Sequence, residues 1–212
     1  MQTLQIIASL VFVASLVACE PPVTFTEPQP ESTKNLSAFP NRIQGRYSSL
    51  SDGSIVRIGN HLIERTYDFD YKIHHHQLDS AFQLVGDTAM ITETGEIKTV
   101  QHDGDSLIIH MHEVDTLFLM SYDNVVRKLK GYYFLNTRFD ETSWTVEKLG
   151  FTKGQLVISS ISKKEDIDNL QEITETPNDT LARPMFTPTK SQFRKFVKRN
   201  GFSNSEIFER LE

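Results

Sequence analysis

Residues Asp103 to Asn124 read DGDSLIIHMHEVDTLFLMSYDN, and this stretch decides the class of fold. It opens on Asp103-Gly104 and closes on Asp123-Asn124, dipeptides that tolerate the positive φ of tight hairpin turns. Between them the side chains keep a two-residue period. In Asp105 to Glu113, Leu107, Ile109 and Met111 fall on one face, and Ile108, His110 and His112 fall on the other. From Asp115 to Tyr122 both faces are apolar, the pattern of a strand lying between two covered surfaces.

The same text runs outward in both directions. Asp52-Gly53, Gly59-Asn60, Thr94-Gly95 and Lys153-Gly154 punctuate short runs rich in Ile, Val, Tyr, Phe and Thr, among them SIVRI, HLIERTYDF, EIKTV, SWTVEKL and QLVISSI. These runs predict a mainly β chain, an antiparallel meander of about nine to eleven strands, barrel-like or a sandwich, with short C-terminal helices. Two related halves are one option. Ile43-Gln44-Gly45-Arg46-Tyr47 resembles Leu129-Lys130-Gly131-Tyr132-Tyr133, and each is followed by a polar turn with Asp52 or Asp140 and an alternating strand.

The β region is expected over 42–162 and a helical C-terminal segment packed on it over 163–212. Ser162-Lys163-Lys164-Glu165 has the spacing of a capping box opening a short helix. Thr189 can cap KSQFRKFVKRN, with Gly201 as its stop and SNSEIFERL as a last turn or two. Phe193, Phe196 and Val197 form the apolar stripe of that helix. Residues 20–41 hold five of the eight prolines and read as an extended tether.

Composition removes several function classes. One cysteine cannot close an intramolecular disulfide, and a net charge of -6 speaks against nucleic acid as a partner. The chain carries no GxSxG elbow, phosphate-binding glycine loop or HExxH. The leading class is therefore a non-catalytic binding or structural module with no cofactor.

Histidine supplies the alternative. In extended backbone His74/His76 and His110/His112 each place two imidazoles on one face, so the four together suit a divalent transition metal, in a metal-binding protein or a metal-dependent hydrolase. The competing reading is solvated histidine on the wet face of a sheet. Asp68 and Asp70 sit on one strand face near Tyr67, Phe69 and Tyr71. Lys190, Arg194, Lys195, Lys198 and Arg199 make a basic helix suited to anionic headgroups or an acidic partner, or simply to solvent.

The address lies at the start. Ile6 to Ala18 is an apolar run too short to span a bilayer and right for a secretory core, and it ends at Cys19 before Glu20-Pro21-Pro22. Leu16-Val17-Ala18-Cys19 resembles the lipobox of bacterial lipoproteins. The resemblance implies a signal peptide over 1–18, a lipidated Cys19 heading a tether over 19–41, and attachment to a cell-envelope membrane, where the partner would be an envelope protein or a glycan. Glu20 in place of the familiar Asp retention signal implies the outer one. The family's pattern is broken at Gln2 and Gln5, where Lys or Arg is usual.

Overall fold

The computed structural model describes residues 21–78, 80, 82–176 and 183–211; the apolar run and Cys19 lie outside them. In chain order the strands begin with β1 (Thr24–Phe25), β2 (Gly45–Ser49), β3 (Ile55–Ile58), β4 (Leu62–His74), β5 (Phe82–Val85), β6 (Thr88–Ile91) and β7 (Ile97–Asp103). They continue as β8 (Ser106–Leu119), β9 (Asn124–Leu129), β10 (Tyr132–Arg138), β11 (Trp144–Thr152), β12 (Gln155–Ser160), β13 (Met185–Phe186) and β14 (Asn204–Arg210). The helices are α1 (Lys164–Thr174) and α2 (Lys190–Lys198). The chain is mainly β and mostly antiparallel, as expected, and the sheet does not close into a barrel. Among the described residues no helix is long and apolar enough to cross a membrane. The chain divides into two units, Met120–Ile207 with the chain up to Ala38, and Phe39–Leu119 with the residues from Phe208 onward.

In the first unit β9, β10, β11 and β12 form an antiparallel meander, with β1 also paired to β11. Its core is phenylalanine-rich. Phe134 meets Phe193 edge-on at 5.0 Å between ring centroids, and Phe196 lies 5.3 Å from Phe202. Leu170 and Ile173 of α1 join the same cluster.

The expected tether is part of this core, which corrects the sequence reading. Val23 and Phe25 are buried in it, Phe25 pairs with Trp144, and Thr24 and Thr26 donate their backbone N–H groups to the carbonyls of Pro184 and Phe186. Proline has no N–H to give a ladder, but its carbonyl can be used: Arg127 Nη1 donates to the carbonyls of Pro28 and Pro30. A proline-rich composition therefore marks a threaded segment here, anchored by a few apolar side chains that the composition concealed.

The C-terminal segment also differs from its expectation. Helix α1 begins after Lys163 with no side-chain cap. Asp166 within it is buried and accepts hydrogen bonds from the backbone N–H and hydroxyl of Ser203. At α2 the expected Thr189 cap forms with Gln192, as a reciprocal capping box. The helix ends at Lys198, before the expected stop at Gly201, and Asn200 takes the left-handed conformation; at Gly201 the chain passes flat against Phe196, where a Cβ would lie 2.0 Å from the ring. After it comes strand β14 rather than a helical turn; within the second unit its Phe208, Glu209 and Arg210 are in register with Ser49, Ser48 and Tyr47.

Tyr47 pairs with Val56 and Ile58 with Ile63; Tyr133 pairs with Leu149 and Phe151 with Leu156. Both tyrosines are fully buried, and Gly45 and Gly131 both have positive φ.

The second unit is a single antiparallel path β2-β3-β4-β8-β7-β6-β5. Buried Tyr47, Val56, Ile58, Ile63 and Phe118 lie at one end of the long β4–β8 pair, while Ile73, Ala89, Val100, Leu107 and Ile109 form a small core at the other. Between these ends Asp68–Lys72 and His112–Leu117 are exposed. The expectation of a strand covered on both faces over Asp115–Tyr122 is therefore corrected: Phe118 is buried, but Leu117 is 41% and Leu119 49% exposed.

Candidate interaction ribbon

The register of β4 on β8 joins two sets of residues that the sequence presents separately. Asp68 stands opposite His112, Asp70 opposite His110, Lys72 opposite Ile108 and His74 opposite Ser106. Directly opposed residues of an antiparallel ladder share a face. His112 Nδ1 lies 2.7 Å from Asp68 Oδ1, and His110 Nδ1 lies 3.1 Å from Asp70 Oδ1. An imidazole that donates from Nδ1 to a carboxylate turns Nε2 outward as an acceptor. His110 Nε2 stands 3.9 Å from Asp68 Oδ1, so the four groups form one exposed polar row.

The structure brings together half of the expected metal set. His110 and His112 are neighbours on one face. His74 is two rungs further along β4, where its Nδ1 lies 2.7 Å from the Ser106 hydroxyl, and its ring stacks on His76 at 5.5 Å. His75, unassigned in the sequence, stacks on His102 at 5.9 Å. Among the described residues no group of three or more His, Cys, Asp or Glu side chains is arranged to hold a metal ion.

Aromatic and apolar side chains accompany this row. Phe69 and Tyr71, on the opposite face of β4, are 42% and 43% exposed, and Val114 on β8 is 51% exposed. Tyr71 stacks on Phe82 with centroids 6.2 Å apart. Lys72 Nζ reaches Asp103 Oδ2 at 2.6 Å. Where β3 stops pairing with β4, a cavity of about 110 Å³ opens beside the Asp52–Ser54 turn and Thr66–Phe69. The Asp52 carboxyl in that turn is held well below the usual carboxylate range, chiefly by the Ser54 hydroxyl and with help from Arg65.

Two further features lie in the first unit. Glu147 stands between a largely apolar cavity of about 200 Å³, lined by Pro22, Leu135, Val146 and Ile161, and a polar one of about 250 Å³, lined by Ser160, Asn204 and Glu206. The residue keeps an open outer surface. Burial of its carboxyl end nonetheless pushes its pKa up. On α2, Arg199 Nη1 donates to Glu172 and to Asn169, both at 3.0 Å, and the Lys190 backbone N–H donates to Glu31; Arg194, Lys195 and Lys198 are exposed. The basic residues are thus divided between internal pairing and a solvent face.

The sequence reading missed Lys72 as a member of the ribbon and treated Asp68/Asp70 and His110/His112 as independent pairs. Both pairs have i, i+2 spacing on long uninterrupted strands, the one signal by which a common ladder could be sought. No family model matches the chain, and no curated protein and no solved structure matches it.

Proposed function

We propose that this is a lipid-anchored cell-envelope protein of binding or structural type, whose interaction element is the β4–β8 ribbon. The observation that carries the reading is the exposure of Asp68–Lys72 and His112–Leu117 on both faces of the β4–β8 pair, which among the described residues is a two-stranded ribbon over Tyr67–Asp70 and His110–Glu113. Such a ribbon is marginal in water by itself, and exposed apolar side chains beside polar groups are the surface of a contact site. The address rests on Leu16-Val17-Ala18-Cys19, and Glu20 favours the outer membrane.

The threaded position of β1 gives the anchor a consequence that a free tether would not. Thr24 is fixed in the sheet five residues after Cys19. Five extended residues span at most about 17 Å, so a lipid on Cys19 keeps the first unit at the membrane surface rather than tens of ångströms away.

Metabolic labelling with a radiolabelled fatty acid tests the anchor. Label in the wild-type chain and none in Cys19→Ala is the expected result; equal labelling of the two, or none in either, overturns it.

A further inference from the structure

A strand left in water along one edge is a template for another strand. β4 pairs with β8 as far as His74 but with β3 only as far as Thr66. Among the described residues, the edge from Tyr67 to His74 on the β3 side therefore has no neighbouring strand.

The order of charge along that edge selects the partner. On the face that holds the imidazole pairs, β4 presents Asp68, Asp70, Lys72 and His74 at two-residue spacing, two acids and then two bases. Read backwards, the series is two bases and then two acids. An antiparallel neighbour of the same sequence meets it acid against base when Tyr71 faces Tyr71 of the second copy. Asp70 then opposes Lys72 and Asp68 opposes His74, each twice by symmetry, while on the other face Phe69 opposes Ile73.

Other registers are worse. Moving the centre by one residue sets Asp70 against Asp70 or Lys72 against Lys72, and directly opposed like charges destabilise a ladder. The ends agree as well. β4 finishes at His74 and turns into the short helical turn His75–Gln77, so the second copy leaves the ladder before reaching Thr66, where β3 takes over the edge. Asp68, Asp70 and Lys72 already touch His112, His110 and Asp103, yet their side chains remain 50%, 68% and 54% exposed and accessible to a second partner.

We propose that β4 pairs antiparallel with β4 of a second copy of this chain, about a two-fold axis at Tyr71. This names the occupant of the ribbon described above and rests on that reading of it, independently of the lipid at Cys19.

The test uses the full chain carrying Cys19→Ala, solubilised in detergent, so that the result does not depend on lipidation. Sedimentation should show a dimer. Lys72→Asp and Asp70→Lys should each weaken dimerisation at least tenfold, and Asp70→Lys combined with Lys72→Asp should restore it, because residue 70 opposes residue 72 in the register. Directly opposed Cα atoms lie about 4.5–5.5 Å apart, within disulfide reach. Tyr71→Cys should therefore cross-link copies on oxidation, and Lys153→Cys should not. A monomeric parent, a double variant no better than the single ones, or no Tyr71→Cys cross-link overturns the proposal. Loss of fatty-acid labelling alone would overturn the anchor and leave this pairing untouched.

Discussion

His112 Nδ1 lies 2.7 Å from Asp68 Oδ1 across one rung of the β4–β8 ladder, with both side chains exposed to solvent. One rung along, His110 and Asp70 repeat the arrangement. The pairs fix the polar face of the ribbon, while exposed Phe69 and Tyr71 lie on the other.

Exposure limits what these pairs contribute to stability. Asp68→Asn or His112→Ala should each cost less than about 1 kcal/mol in chemical denaturation, and a double-mutant cycle should give a similarly small coupling. A coupling of several kcal/mol would mean that the rung is dry and structural.

The threaded N-terminal segment makes a sharper distinction. Phe25 is fully buried against Phe186 and Phe193. Phe25→Ala should therefore destabilise by about 3–5 kcal/mol. Residues 20–41 acting as a solvated tether would leave the denaturation midpoint unchanged.

Gly201 is a packing requirement, since the site for a Cβ is filled by the Phe196 ring. Gly201→Ala should cost about 1–3 kcal/mol, the usual range for overpacking, with a matching drop in thermal midpoint. Combining it with Phe196→Leu should recover part of the loss by removing the clashing ring edge.

Two carboxyls should move stability with pH in opposite directions. Asp52 has a lowered folded-state pKa, chiefly through the Ser54 hydroxyl. Its contribution is present above the ordinary aspartate value of about 4 and lost as pH falls toward the folded value. Asp52→Asn should therefore be less stable than wild type at neutral pH, with the gap closing in acid. Glu147 has a raised pKa from burial. Its contribution is complete below the ordinary glutamate value of about 4 and lost as pH rises through the folded value. Glu147→Gln should then be more stable at neutral pH and equal to wild type in acid; denaturation curves at several pH values check both.

Much of the fold is legible in the sequence because period two and turn dipeptides are local signals. The stretch SLIIHMHEVDTLFL becomes the continuous strand β8, and Thr189 caps α2 as its spacing predicts. The failures are non-local. β1 and β13 are two-residue strands held by each other and by Trp144, so no periodicity announces them. SNSEIFERL has helix-compatible spacing but is captured as a strand by β2. Both apolar faces of Asp115–Tyr122 suggest cover on each side, yet composition cannot say whether that cover comes from this chain. The candidate site was half legible: the i, i+2 pairs are visible, while the register that sets Asp68 on His112 depends on residues 44 positions apart.

Hydrogen exchange on the full chain in detergent, followed by mass spectrometry at increasing protein concentration, distinguishes a paired β4 edge from an open one. Peptides covering Tyr67–His74 should gain protection as copies associate, while peptides from β11 stay unchanged. Exchange across Tyr67–His74 that is fast and independent of concentration, with the ribbon open at all levels, would contradict the pairing.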